Sequence, residues 1–239
     1  NCNWSSVFDA EDQPHHTHTE KISRVGGIGI IVGFFVSYSL VFIFFDYKDN
    51  QSLMHFSLFF GAFACFSLGL IDDLRSIDAK LKFILQILIA IFAHESGFKI
   101  GYAVLPIVEW GIDLNDYSLV LTVIWFVSII NLINLIDGLD GLAGGIGFML
   151  MILLVVLSIE KGIAISTFLS LGMAGAILGF LIHNFPPARV YMGDSGAYTI
   201  GFVIAALSLM NFQKGAVIAA LLGPMMALAL PILDVMFAI

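Results

Sequence analysis

The sequence predicts an all-α fold, a polytopic bundle of membrane-spanning helices, and three observations predict it. The chain of 239 residues is 59% hydrophobic and only 12% charged, with a mean hydropathy of +1.00. Its apolar residues gather into runs near 20 long, about the length that crosses a hydrocarbon core. Its few charges fall between those runs. A soluble domain carries about 25% charged residues. Half that share cannot cover a globule of this size in water, so lipid must solvate most of the outside.

Eight spans follow in order, at 25–45, 52–71, 81–95, 117–136, 142–159, 163–183, 197–212 and 215–237. The third and seventh are the shortest. Between the third and fourth, Gly97, Gly101, Pro106 and Gly111 interrupt short apolar runs. That segment is too broken to span, and we read it as an external loop with room for a small hairpin. No internal repeat stands out. Residues 1–24 read as a polar cytoplasmic segment and 25–239 as the transmembrane domain. The chain opens without Met and stops inside the apolar run LPILDVMFAI, so we read it as a fragment of a longer protein, lacking both ends.

The net charge of −8 argues mildly against a nucleic-acid partner. Cys2, in a polar tail, and Cys65, in an apolar run, make no disulfide framework. His15, His16 and His18 lie together in the polar segment. No spaced Cys or carboxylate completes a metal site around them.

Orientation rests on the basic loops. One side receives Lys21, Arg24, Arg75, Lys80, Lys82 and Arg189, and the other Lys48, Lys99, Lys161 and Lys214. The richer side is taken as cytoplasmic. It also receives Asp72, Asp73, Asp78, Asp137, Asp140 and Asp194.

Four stretches could carry chemistry. In LGLIDDLRSIDAKLKFILQ, Asp72 and Asp73 end a span as adjacent carboxylates. Such a pair at a membrane boundary is costly unless a cation compensates, and a hard ion such as Mg²⁺ favours oxygen ligands. Two solvated loop acids beside Arg75 and Lys80 are the bland alternative. In NLINLIDGLDGLAGGIG, Asn131, Asn134, Asp137 and Asp140 recur every three residues. That spacing places them on one helical stripe if the helix continues. Glycines beside them let a ligand approach the backbone. In HNFPPARVYMGDSGAYTIG, Asp194 can be a simple N-cap. Capping leaves Asn184, Arg189 and Tyr191 in the same loop unexplained; they suit a base or phosphate, a phosphate, and a stacked ring. In TEKISRVGGIGI, Lys21 and Arg24 precede Gly26 and Gly27 and can be plain positive-inside anchors.

Taken together, LGLIDDL, NLINLIDGLDGL and NFPPARVYMGDSG, in that order and on one membrane side, resemble the polyprenyl-phosphate N-acetylhexosamine-1-phosphate transferases. That family includes MraY and WecA-like enzymes and belongs to the family 4 type of glycosyltransferase. The SRVGG stretch is more similar to the WecA-like branch than to the TPTMGG type. The resemblance covers the chain from about Asp9 onward. It implies a fold of about ten helices with a cytoplasmic cleft and, beyond the last residue here, a His-rich loop.

The activity it implies is Mg²⁺-dependent transfer of a sugar 1-phosphate from a UDP-N-acetylhexosamine to polyprenyl phosphate, with release of UMP. Mn²⁺ is a plausible substitute for Mg²⁺. By the same resemblance Asp72 and Asp73 are catalytic, and Asp194 and Asp137 hold the metal. Asn134, Asp137 and Asp140 line the nucleotide-sugar pocket, while Asn184 and Tyr191 hold the uridine. Arg189, Lys21 and Arg24 contact phosphate. The setting it implies is a bacterial inner membrane with undecaprenyl phosphate as acceptor, and a homodimer is compatible with it. UDP-GlcNAc is the expected donor, ahead of UDP-MurNAc-pentapeptide. A rival from another class is a cation-coupled transporter, which predicts acids near mid-span and helices broken in paired halves.

Overall fold

The computed structural model describes residues 23–44, 52–105 and 110–212. Within them run seven α-helices: α1 (Gly26–Phe44), α2 (Ser52–Leu74), α3 (Ala79–Glu95), α4 (Ser118–Ile136), α5 (Leu142–Glu160), α6 (Ala164–Asn184) and α7 (Gly193–Phe212). The first seven expected spans are therefore helices. The eighth, 215–237, and Lys21 lie outside the described residues. Six helices are long and apolar enough to cross a membrane. The exception is α3, whose 17 residues reach about 25 Å at 1.5 Å per residue. With these spans the chain is an integral membrane protein.

The segment between α3 and α4 folds as the expected hairpin. Strands β1 (Tyr102–Leu105) and β2 (Trp110–Asp113) pair antiparallel, with Tyr102 opposite Asp113 and Leu105 opposite Trp110. Phe98, fully buried, packs on Phe126, which in turn packs at a tilt on Phe202 of α7.

Burial inverts the pattern of a water-soluble bundle. In α1, α2, α4, α5 and α6, between 33% and 50% of each span is inside the protein, and the rest is apolar surface for lipid. In α7 the share is 94%. Helix α7 is the axis of the bundle, and α1, α2, α4 and α5 pack around it. Glycines permit this closeness at one end. A Cβ on Gly69 of α2 would collide with the Asp194 and Ser195 backbone, and one on Gly27 of α1 with Ser195 and Gly196.

Connections alternate between the two ends. Residues 75–78, 137–141 and 185–192 join helices at one end, which collects the α1 and α7 N-termini and the α2 C-terminus. Two expectations are corrected there. The seventh helix starts at Gly193, not 197, so Asp194 stands in its first turn and is not an N-cap. The Asn131–Asp140 series is not one stripe, because α4 stops at Ile136 and Gly141 takes a left-handed φ of 75°. Asn131 instead donates to Gln86 Oε1 at 2.6 Å and to Val127 O, tying α4 to α3.

Candidate functional site

The site is organised around the start of α7. The chain reaches it along residues 190–192, which run beside 23–27. Val190 bridges Ser23, the Tyr191 N–H donates to Ser23 O at 2.9 Å, and the Gly26 and Gly27 N–H groups donate to Tyr191 O and Met192 O. This pairing fixes Arg24, half-buried, at the mouth of the bundle. Its guanidinium is close enough to act on the charges of Asp73 and Asp137.

Asp72 and Asp73 leave the last turn of α2 in different directions, as neighbours on a helix must, at about 100° apart. Asp73 Oδ1 accepts the Asp194 N–H at 2.9 Å and Oδ2 accepts the Ser195 N–H at 3.0 Å. Asp72 Oδ1 accepts the Ile77 N–H at 2.8 Å, and Lys82 Nζ of α3 donates to Oδ2 at 2.6 Å. The Asp72 side chain, only 5% exposed, also lies within hydrogen-bond reach of the Asp194 carboxyl. From the next turn of α7, the buried Tyr198 hydroxyl donates to Asp194 Oδ2 at 3.3 Å.

The 137–141 turn and the 185–192 loop are clamped together. Asn184, 4% exposed, accepts the Gly141 N–H through Oδ1 at 3.0 Å and donates from Nδ2 to Val190 O at 2.9 Å. Asp140 Oδ2 accepts the Ala188 N–H at 3.0 Å. Asn184, expected to hold a uridine, thus has its amide committed to the wall of the site. Asp137 caps the C-terminus of α4 and faces the same acids. Burial holds its carboxyl well above the usual range, the charges of Asp194 and Asp73 push it further, and Arg24 opposes them. Burial and then the Asp140 carboxylate raise the Tyr191 phenol, which Arg24 pulls back. Asn134 is half-buried one turn before Asp137, and Arg189 is exposed.

Of the residues named from the sequence, Arg24, Asp72, Asp73, Asp137 and Asp194 converge. Asn134, Asp140, Asn184, Arg189 and Tyr191 form the adjoining turn and loop. Lys82 and Tyr198 were not singled out beforehand. Tyr198 follows Asp194 by four residues, a helical neighbour legible once the helix start is known. Lys82 lies ten residues from Asp72 across a helix break, and no local spacing announces it.

Among the described residues no three His, Cys, Asp or Glu side chains form a self-sufficient metal cage. A Mg²⁺ ion does not need one. It keeps several waters and binds through one or two carboxylates plus substrate phosphates. Asp72 and Asp194 in mutual contact, with Asp137 and Asp73 adding negative charge, fit that demand.

Residues 55–211 match the family described as Glycosyl transferase family 4. A "probable undecaprenyl-phosphate N-acetylglucosaminyl 1-phosphate transferase" of Bacillus subtilis is 34% identical over 96% of this chain and 63% of its own length. A "phospho-N-acetylmuramoyl-pentapeptide-transferase" of Prochlorococcus marinus is 32% identical over 82% of this chain and 57% of its own. One of the same name from Staphylococcus epidermidis is 30% identical over 87% and 68%. The chain thus spans roughly six tenths of the length of the relatives it matches.

Proposed function

Because the chain belongs to glycosyl transferase family 4, we propose that it transfers N-acetylglucosamine 1-phosphate from UDP-GlcNAc to a polyprenyl phosphate. An oxygen of the lipid phosphate attacks the phosphorus that bears the sugar. The bond from that phosphorus to the oxygen bridging the two donor phosphates breaks, and UMP leaves with that oxygen. The product is a polyprenyl diphosphate sugar, of the kind that begins a cell-envelope polysaccharide.

The observation that carries this reading is the gathering of Asp72, Asp73 and Asp194 where the end of α2 meets the first turn of the central helix, at one membrane end. A water-borne donor and a lipid-borne phosphate can meet only at such an end. We place it on the cytoplasmic side of a bacterial inner membrane, in keeping with the basic loops. Bound there, Mg²⁺ would offset the repulsion between donor and acceptor phosphates and the charge developing on the UMP oxygen. Asp72, Asp194 and Asp137 would hold it. Lys82, paired with Asp72, holds that carboxylate in place. Arg24 would meet phosphate charge, with Arg189 and Lys21 as outer contacts. Asn134, Asp140 and Tyr191 would line the nucleotide-sugar pocket, Tyr191 by stacking, while Asn184 keeps that wall in shape.

The test uses full-length protein in membranes supplied with undecaprenyl phosphate, Mg²⁺ and either UDP-GlcNAc or UDP-MurNAc-pentapeptide. UMP should appear with UDP-GlcNAc, and Asp194→Asn should abolish it at unchanged expression. Release only from the pentapeptide donor would correct the sugar. Inertness with every UDP-sugar would sink the reading. The transporter rival calls for ionisable groups near mid-span. Among the described residues every helical Asp and Glu stands in a first or last turn.

A further inference from the structure

We infer that Asp73 is a positioning residue, which fixes the first turn of α7 from outside the helix and thereby aims Asp194, and does not itself react. The inference rests on the transferase reading above and divides the Asp72–Asp73 pair into two jobs.

The first N–H groups of a helix have no partner within it, and a side chain just ahead of the helix ordinarily supplies one. Here the residue ahead is Met192, which has no such acceptor. Asp73, more than 120 residues earlier, takes that place with each of its two oxygens. The fit depends on two glycines. Gly193 has a φ of 71°, and a Cβ on it would stand 2.7 Å from Asp73 Oδ2. A Cβ on Gly69, one turn before Asp73, would strike the Asp194 backbone itself. The backbones of α2 and α7 thus meet with nothing between them but this carboxylate.

Three consequences follow. Each Asp73 oxygen already accepts a hydrogen bond from a backbone donor, so the carboxyl is fixed against the start of α7. Two of the N-terminal N–H groups of α7, those of Asp194 and Ser195, which would otherwise suit a phosphate oxygen, are taken. Asp194, whose own N–H is one of the two held, is set facing Asp72 and Tyr198. Asp73 supports a metal-holding carboxylate as an outer hydrogen-bond partner does, and loss of such a partner costs about 10–100-fold in metal affinity.

The test compares Asp73→Asn and Gly193→Ala in the full-length protein. Gly193→Ala disturbs the same contact from the opposite side and stands in should Asp73→Asn not fold. Each should raise the Mg²⁺ concentration for half-maximal UMP release by about 10–100-fold. Each should shrink the rise in melting temperature that Mg²⁺ alone produces, with the limbs of the pH–rate profile unmoved at saturating Mg²⁺. The double variant should be no worse than the worse single. The inference is overturned if Asp73→Asn removes or moves a pH limb, or if it cuts turnover with Mg²⁺ half-saturation and Mg²⁺ melting shift both at wild-type values. A wild-type protein that releases no UMP from any donor would defeat the transferase reading instead. The Mg²⁺ melting shifts would then still decide the role of Asp73.

Discussion

The two ends of the bundle solve one problem with different chemistry. At the end away from the acid cluster, the buried ties are made by neutral groups and one lysine, and the carboxylates that bond there, Glu95 to His94 and Asp113 to the Asn115 N–H, are exposed. Tyr38 Oη donates to His55 O at 2.9 Å, the Ile100 N–H to Thr122 Oγ1 at 3.1 Å, and Ser158 Oγ to Asn211 Oδ1 at 2.9 Å. His94 meets Ser118 at 3.2 Å, and Lys161 Nζ donates to Asn211 O. At the other end the same kind of backbone N–H is met by the carboxylates of Asp72, Asp73 and Asp140. A carboxylate crowded by others at a membrane boundary is far costlier than a hydroxyl or amide. Structure alone accounts for Asp73 and Asp140. It leaves Asp72, Asp194 and Asp137 with more negative charge than holding a loop requires, and that surplus marks the site.

Breaking the contact under the surplus should have the largest effect. Gly69→Ala forces α2 from the Asp194 backbone. A shift near 1 Å at the reacting groups costs about 100-fold in rate, and UMP release per folded molecule should fall by at least that. Asn184→Ala comes next. It strands the Gly141 N–H and the Val190 carbonyl, and should lower stability by about 2–3 kcal/mol in a melting assay while weakening donor binding. Tyr198→Phe removes one hydroxyl from Asp194 and little volume. It should raise the Mg²⁺ requirement about tenfold with the melting temperature nearly unchanged. Ser158→Ala at the far end should be the mildest for chemistry. It should cost about 1–2 kcal/mol of stability and leave turnover and Mg²⁺ dependence at wild-type values. Loss of Mg²⁺ dependence in that variant would erase the distinction between the ends.

Spans and their common acidic end were legible because lipid admits only long apolar runs and drives charge to their margins. Boundaries failed where polar residues stand inside a helix. The start of α7 was read at 197 because Asp194 and Ser195 look like loop, and the acceptor that allows them into a helix belongs to α2. The triplet spacing from Asn131 to Asp140 suggests one face, yet α4 stops at Ile136 and the turn after it sends Asp137 and Asp140 to separate partners. The Tyr198 hydroxyl has a partner only where Asp194 is helical, four residues before it.

The sequence by itself determined that the chain lives in a membrane, that the carboxylates of its three acidic motifs share one end, and which motifs carry them. Residue type and hydropathy suffice for that, since both act along the chain. Only the tertiary structure decided that the least apolar span is the buried axis, that Asn184 and Asp140 hold a wall, and that Asp72 and Asp73 face different partners. Those assignments depend on which backbone donors come within about 3 Å of each oxygen, and such distances arise only when distant helices pack.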